Sequence, residues 1–205
     1  MLAIRKTEAE IDITTHEFQI GDQIVVDLKG FGKFTATAQK IMNHGMVLFL
    51  MDECVCKERM CESSKFTGDF AESSLRKWMN ETLFESFPDD LKEHMVPFDD
   101  GDFLTIPTYG QIYGHDYWYK EHANPDQDEQ LPLMKHQKYK LSYYEDKVSW
   151  YWLKNTLHNA HYSCFCVATD YGSGNFENSP LHRVGVRPVF VLTPPPITRQ
   201  WHCKY

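Results

Sequence analysis

Clustered positive charge is what this sequence most lacks. Its 21 Lys and Arg are outnumbered by 29 Asp and Glu, a formal net charge of -8 over 205 residues, and no basic run is interleaved with aromatics. Binding to a nucleic-acid backbone rests on clustered cations that displace counterions, so no nucleic acid is expected as a partner. No apolar stretch approaches the roughly 20 residues that cross a bilayer, so no membrane span is expected. The opening Met1-Leu-Ala-Ile-Arg-Lys-Thr lacks the apolar core and cleavage site of a secretory signal, which makes the default expectation cytoplasmic. Cysteine is sparse: Cys54, Cys56, Cys61, Cys164, Cys166 and Cys203 read as reduced thiols rather than a disulfide framework. G-x-S-x-G, H-E-x-x-H and phosphate-cradling glycine loops are missing, and Gly172-Ser173-Gly174 lacks the helix a dinucleotide site needs. The expectation is a protein that is not an enzyme and carries no cofactor.

What is present is apolar content enough for a core, 42% hydrophobic and 14% aromatic, with a charge too modest for disorder. The reading is an N-terminal lead-in over 1–21, one domain over 22–192 and a Pro-rich extended tail over 193–205. Gln23–Lys29 and Lys33–Ala38 alternate or run β-branched around Gly30-Phe31-Gly32, the pattern of a hairpin. The apolar run Gly45–Met51 reads as a buried strand. Leu75, Trp78, Met79 and Leu83 then change the period and define one face of a helix, with Asp69 or Ser73 as its cap. A second short helix is expected from Pro88 to before Pro97, burying Leu91 and Met95.

Phe103–Pro107 is a short strand candidate, and 113–140 reads as a long surface loop with a turn at Asn124-Pro125-Asp126. Val148–Leu153 and Val184–Leu192 are the strongest strand candidates of the second half. Pro188 within the latter implies an edge or a bulge, because proline donates nothing to a ladder.

Three pieces of sequence in fixed order, Ser74-Leu-Arg-Lys-Trp-Met-Asn80, Trp150-Tyr-Trp-Leu-Lys154 and Gly185-Val-Arg-Pro188, resemble a bacterial and prophage family of unknown function. Its members read S-x-L-R-x-W-L-N, W-W-L-R-S and G-V-R-P-A; Lys154-Asn155 departs from the Arg-Ser of the second motif. The resemblance implies an α+β domain of C-type-lectin-like (formylglycine-generating-type) fold, with antiparallel strands, two helices and long loops. It further implies that 155–184, between two motifs, is a variable surface diversified by a retroelement, and that a phage particle or the cell surface is an alternative location. Trp150, Tyr151, Trp152 and Arg187 would be structural.

The segment between the motifs suits a binding face on its own content, because Tyr, Ser, Asn and Gly join rigid aromatic area to adaptable hydrogen bonding. Asn155, His158, Asn159, His161, Tyr162, Tyr171, Asn175, Phe176, Asn178 and His182 are the candidate ligand-binding residues, for a protein or glycan ligand. For each the alternative is a place in the core, above all for Phe165 and Val167 in an alternating strand. No metal site is expected. Cys54-x-Cys56 with Cys61 is off zinc spacing, His158, His161, Cys164 and Cys166 suggest adventitious binding, and the carboxylates at 99–102 and 126–129 read as solvated turns rather than calcium ligands. Two rivals stay open: a structural prophage component, and an oxidase resembling the formylglycine-generating group, which Cys164-Phe-Cys166 fits poorly.

Overall fold

The structure, a computed structural model, describes residues 16–157, 164–177 and 179–193. Its strands in chain order are β1 (Gln23–Leu28), β2 (Gly32–Ile41), β3 (Val47–Met51), β4 (Cys56–Glu58), β5 (Met95–Val96), β6 (Tyr143–Tyr144), β7 (Lys147–Val148), β8 (Tyr151–Thr156), β9 (Phe165–Ala168), β10 (Gly174–Glu177), β11 (Val184–Val186) and β12 (Val189–Leu192). One sheet has the order β1-β2-β3-β12-β5 and is antiparallel throughout. The other has the order β10-β9-β8-β11-β4 and is antiparallel except for the β8–β11 pair. The architecture is therefore mixed α and β, mostly antiparallel strands with few short helices.

The apolar runs have a common cause. Side chains alternate across a strand, and here both faces of the central strands are covered. From β3, Val47, Phe49 and Met51 enter one apolar cluster while Leu48 and Leu50 enter a second. From β12, Phe190 and Leu192 go to the first and Val189 and Val191 to the second; β8 divides Trp152 from Tyr151 and Leu153 in the same way. Phe49 stacks on Phe190 at 5.6 Å between ring centres, and Phe87 meets Phe190 edge-on at 5.7 Å. An edge strand shows the contrast: β1 has one covered face and alternates exposed with buried residues along its length.

The expected hairpin is β1–β2, and the expected first helix begins at α1 (Ser74–Trp78), with Ser73 Oγ accepting the Arg76 N–H at 3.1 Å. Asp69 caps the preceding 3-10 turn, Phe70–Glu72. The helix continues as a π turn, Met79–Leu83. Leu75, Met79 and Leu83, each four apart, would drift off one face at 3.6 residues per turn, and the wider π turn offsets that lag. All three are buried. Within the motif here, Arg76 pairs with Asp102 and donates to the Ala71 carbonyl. Asn80 Oδ1 accepts the N–H groups of Phe103 and Leu104, both at 2.9 Å, and Nδ2 donates to the Arg76 and Leu104 carbonyls. The motif thus ties the helix to the 102–104 strap.

Four expectations are corrected. The 113–140 stretch is not a surface loop: it holds α4 (Tyr117–His122), after α3 (Tyr109–Tyr113), then a 3-10 turn at Pro132–Lys135 and α5 (Gln137–Lys140), and it buries Tyr119, Ala123, Leu131 and Met134. Each short turn contributes one or two anchors, so no 3.6-residue period accumulates. Val184–Leu192 is two strands in two sheets, and Pro188 lies in the crossover, where its missing N–H breaks no ladder and its carbonyl accepts from Met51 at 3.0 Å. Phe103–Pro107 reduces to a single bridge, Thr105 to Val189. The helix from Pro88 is the short α2 (Asp89–Lys92), and Met95, although buried, belongs to β5. No helix among the described residues is long and apolar enough to cross a membrane.

Candidate functional site

The parallel pairing of β8 with β11 decides what meets at one end of the second sheet. Parallel strands begin at the same end, so the residues just before Tyr151 and Val184 lie side by side; Gly185 N donates to the Trp150 carbonyl at 2.9 Å. On the far side of β11, antiparallel β4 places Lys57 opposite Gly185. The result is an open cleft of about 480 Å³ with Trp150, Val148 and Val184 as its apolar lining and Lys57, His182 and Arg183 around them.

Local contacts hold these groups in place. Trp150 Nε1 donates to Asp170 Oδ1 at 3.0 Å, fastening the β9–β10 turn to the cleft. Arg183 Nη1 donates to Glu58 Oε1 at 3.1 Å, and Lys57 Nζ lies 5.2 Å from the centre of the Tyr144 ring. Ser149, which also lines the cleft, turns its hydroxyl to the Trp150 carbonyl at 3.1 Å.

The structure brings His182, among the sequence candidates, into this cleft. Tyr171 is 80% exposed on the adjoining turn, next to Asp170. Asn175 and Phe176 are half-buried on β10, with Asn175 Oδ1 accepting the Phe176 N–H at 2.8 Å. Asn155 is buried inside: its Oδ1 accepts the Tyr109 N–H at 2.6 Å, and its Nδ2 donates to the Asn124 carbonyl at 3.0 Å and to Asp126 at 2.8 Å. His158, Asn159, His161, Tyr162 and Asn178 lie outside the described residues. Phe165 and Val167 are fully buried and fill the core, as are Tyr151, Trp152 and Arg187, whereas Trp150 is only half-buried. Lys57, Val148 and Arg183 escaped sequence reasoning. Arg183 lies just before the third motif, a signal within reach; Lys57 arrives through the β4 pairing, which nothing local announces.

The chemistry weighed from sequence finds these positions. Burial pushes the Cys54 thiol up to about 11 and Cys166 to about 12, the reverse of what a reactive thiolate needs. Cys54, Cys56, Cys61, Cys164 and Cys166 are free thiols. Asp126 faces inward, accepting the Gly110 N–H at 3.1 Å and the Asp128 N–H at 2.9 Å, while Thr108 donates to Asp128 at 2.8 Å. These carboxylates brace the start of α3 rather than form a solvated turn. Among the described residues no group of three or more His, Cys, Asp or Glu is arranged to hold a metal ion.

Residues 45–194 match the sequence pattern of a family described as a domain of unknown function, DUF6273. No curated protein matches the chain, and no solved structure matches it.

Proposed function

The chain belongs to the DUF6273 family, and on that premise we propose that it is a non-catalytic ligand-binding domain. Its binding face comprises the cleft before β8 and β11 together with the β9–β10 turn. The observation that carries this reading is the convergence at one cleft of His182, from the segment between the motifs, and Trp150, from the second motif, beside a tyrosine that is 80% exposed. A half-buried indole flanked by donors and an exposed tyrosine is the composition of adaptable recognition surfaces. The test is a screen of glycan, peptide and cell-surface panels with the full chain and with Tyr171→Ala/His182→Ala. Ligands retained by wild type and lost by the variant support the reading, and unchanged binding to every ligand found rejects it.

We place the fold with C-type-lectin-like folds, supported by the motif order; an experimental structure whose strands fail to superpose on such a domain would reject this. Retroelement diversification of 155–184 draws support from the segment's residue content. Because Phe165 to Ala168 are fully buried, diversification would act outside β9, as at the exposed Tyr171 of the β9–β10 turn. A near-copy of the coding segment differing only at adenines, beside a reverse-transcriptase gene, is the expected finding. The structural prophage reading is favoured by Tyr117, 77% exposed and not part of the cleft lining; large stable assemblies in light scattering, with no ligand on any panel, would select it.

A further inference from the structure

We propose that the cleft before β8 and β11 takes an acidic peptide segment carrying an apolar side chain; this rests on the ligand-binding reading and names the ligand class. The donor balance of the cleft favours an acidic ligand. Lys57, Arg183 and the imidazole of His182 surround the indole, and Lys and Arg side chains offer only donors. Ser149 already turns its hydroxyl to a backbone carbonyl, and Trp150 Nε1 is engaged by Asp170. Among the described residues no Asp, Glu, Asn or Gln lines the cleft, and the neighbouring Asp170 carboxylate is taken up by the indole N–H. A neutral sugar needs acceptors for its hydroxyl protons, and this wall supplies few; a carboxylate needs donors, which it supplies.

The charges of the lining point the same way. The protein carries a net charge of -8, yet this cleft gathers Lys57 and Arg183, with Glu58 bonded to Arg183 and Asp170 bonded to Trp150 Nε1 as the carboxylates beside them. Lys57 rests on the Tyr144 ring, and the described bonds of the Arg183 guanidinium, to Glu58 and to the Lys57 carbonyl, are both made by Nη1. Such a rim steers and orients an acidic partner more than it adds raw affinity.

Apolar surface adjoins the cations. Val148 is 40% exposed in the cleft wall, and its cross-strand partner Tyr143 is 43% exposed. Val148, Trp150 and Val184 give the cleft an apolar lining beside the cations, matching a leucine or aromatic side chain set next to glutamates.

The experiment is fluorescence anisotropy on the full chain with a labelled Glu-Glu-Leu-Glu-Glu peptide, its Gln-Gln-Leu-Gln-Gln counterpart, a neutral oligosaccharide and a sulfated oligosaccharide. The acidic peptide is expected to bind, to weaken as salt rises, and to lose about tenfold or more in affinity with Lys57→Glu/Arg183→Glu, both at exposed positions. Val148→Asp should weaken it separately. Equal binding of the glutamine peptide, or an unaffected charge-reversed variant, overturns the proposal. Binding of an oligosaccharide at the cleft in place of the acidic peptide overturns the peptide class and leaves the ligand-binding reading standing. If no probe binds and the panels of the preceding section yield no ligand either, both fail.

Discussion

Arg187 Nη1 donates to the Tyr151 hydroxyl at 3.3 Å, and the guanidinium carbon lies 5.1 Å from the centre of the same ring. The arginine is 2% exposed. Its Nε donates to the Met51 carbonyl at 2.6 Å and Nη1 also to the Tyr139 carbonyl at 3.1 Å. A buried cation is tolerated only when its protons are used and its charge offset; here carbonyls, a hydroxyl and a π face serve. The residue sits in the crossover from β11 to β12, so its fork links strand β8, the end of β3 and the end of α5.

Arg187→Lys is therefore expected to lower stability by about 2–4 kcal/mol, because a point ammonium replaces a planar fork and leaves a buried carbonyl unpaired. Urea denaturation followed by tryptophan fluorescence measures it. A midpoint equal to wild type would show that the fork geometry is irrelevant.

Gly185, two positions earlier, has a different constraint. A Cβ there would lie 2.4 Å from Cys54 Sγ and 2.6 Å from the Trp150 carbonyl oxygen. Gly185→Ala should cost about 1–3 kcal/mol through overpacking, and Cys54→Ala should restore only part of the loss, since the carbonyl stays. Complete rescue in the double variant would place the whole clash on the sulfur.

Much of the fold is legible in the sequence where one local pattern has one structural home. Runs such as Val47–Met51 were readable as strands because five consecutive apolar residues bounded by polar ones have few other homes. The spacing of Leu75, Met79 and Leu83 was readable because a helix face repeats. What stayed hidden depends on long-range pairing. Lys57 joins the cleft only because β4 pairs with β11 more than a hundred residues later in the chain. Tyr119, Leu131 and Met134 carry no such signal, because short turns leave no period. Composition alone groups Asn155 with contact residues, and it does not distinguish an asparagine facing water from one bonded to a helix start.

Asn155→Ala tests that distinction. Removing its side chain strands the buried Tyr109 N–H, which should cost about 1–3 kcal/mol while leaving binding at the cleft unchanged in the folded fraction. Weakened ligand binding at unaltered stability would return Asn155 to the contact surface.

Alkaline pH probes the buried thiols. Burial holds Cys54 and Cys166 protonated in the folded protein, at about 11 and about 12 against an ordinary value near 9. Their contribution is complete below pH 9, where both folded and unfolded thiols keep their protons. Above it the unfolded chain releases protons first, so stability falls as pH climbs toward 11 to 12. Thermal melts from pH 8 to 11 should show a steeper decline for wild type than for Cys54→Ala/Cys166→Ala, and parallel declines would remove the thiols as its cause.

The hairpin bordering the cleft carries backbone strain that is open to relief. Between β6 and β7 the chain turns through Glu145 at φ 49° and Asp146 at φ 60°, both left-handed. Two-residue hairpin turns of this hand prefer glycine at the second position, and a non-glycine residue held there stores on the order of 1 kcal/mol. Asp146→Gly is expected to raise the melting temperature by about 2–4 °C, the shift that 1 kcal/mol produces in a chain of this size. Val148, in β7, lines the cleft, so the same variant should leave the cleft's shape intact and its affinity for an acidic probe within about twofold, since rim charges away from direct contact contribute little. A melting temperature lower than wild type would mean that Asp146 makes a contact whose loss outweighs the strain.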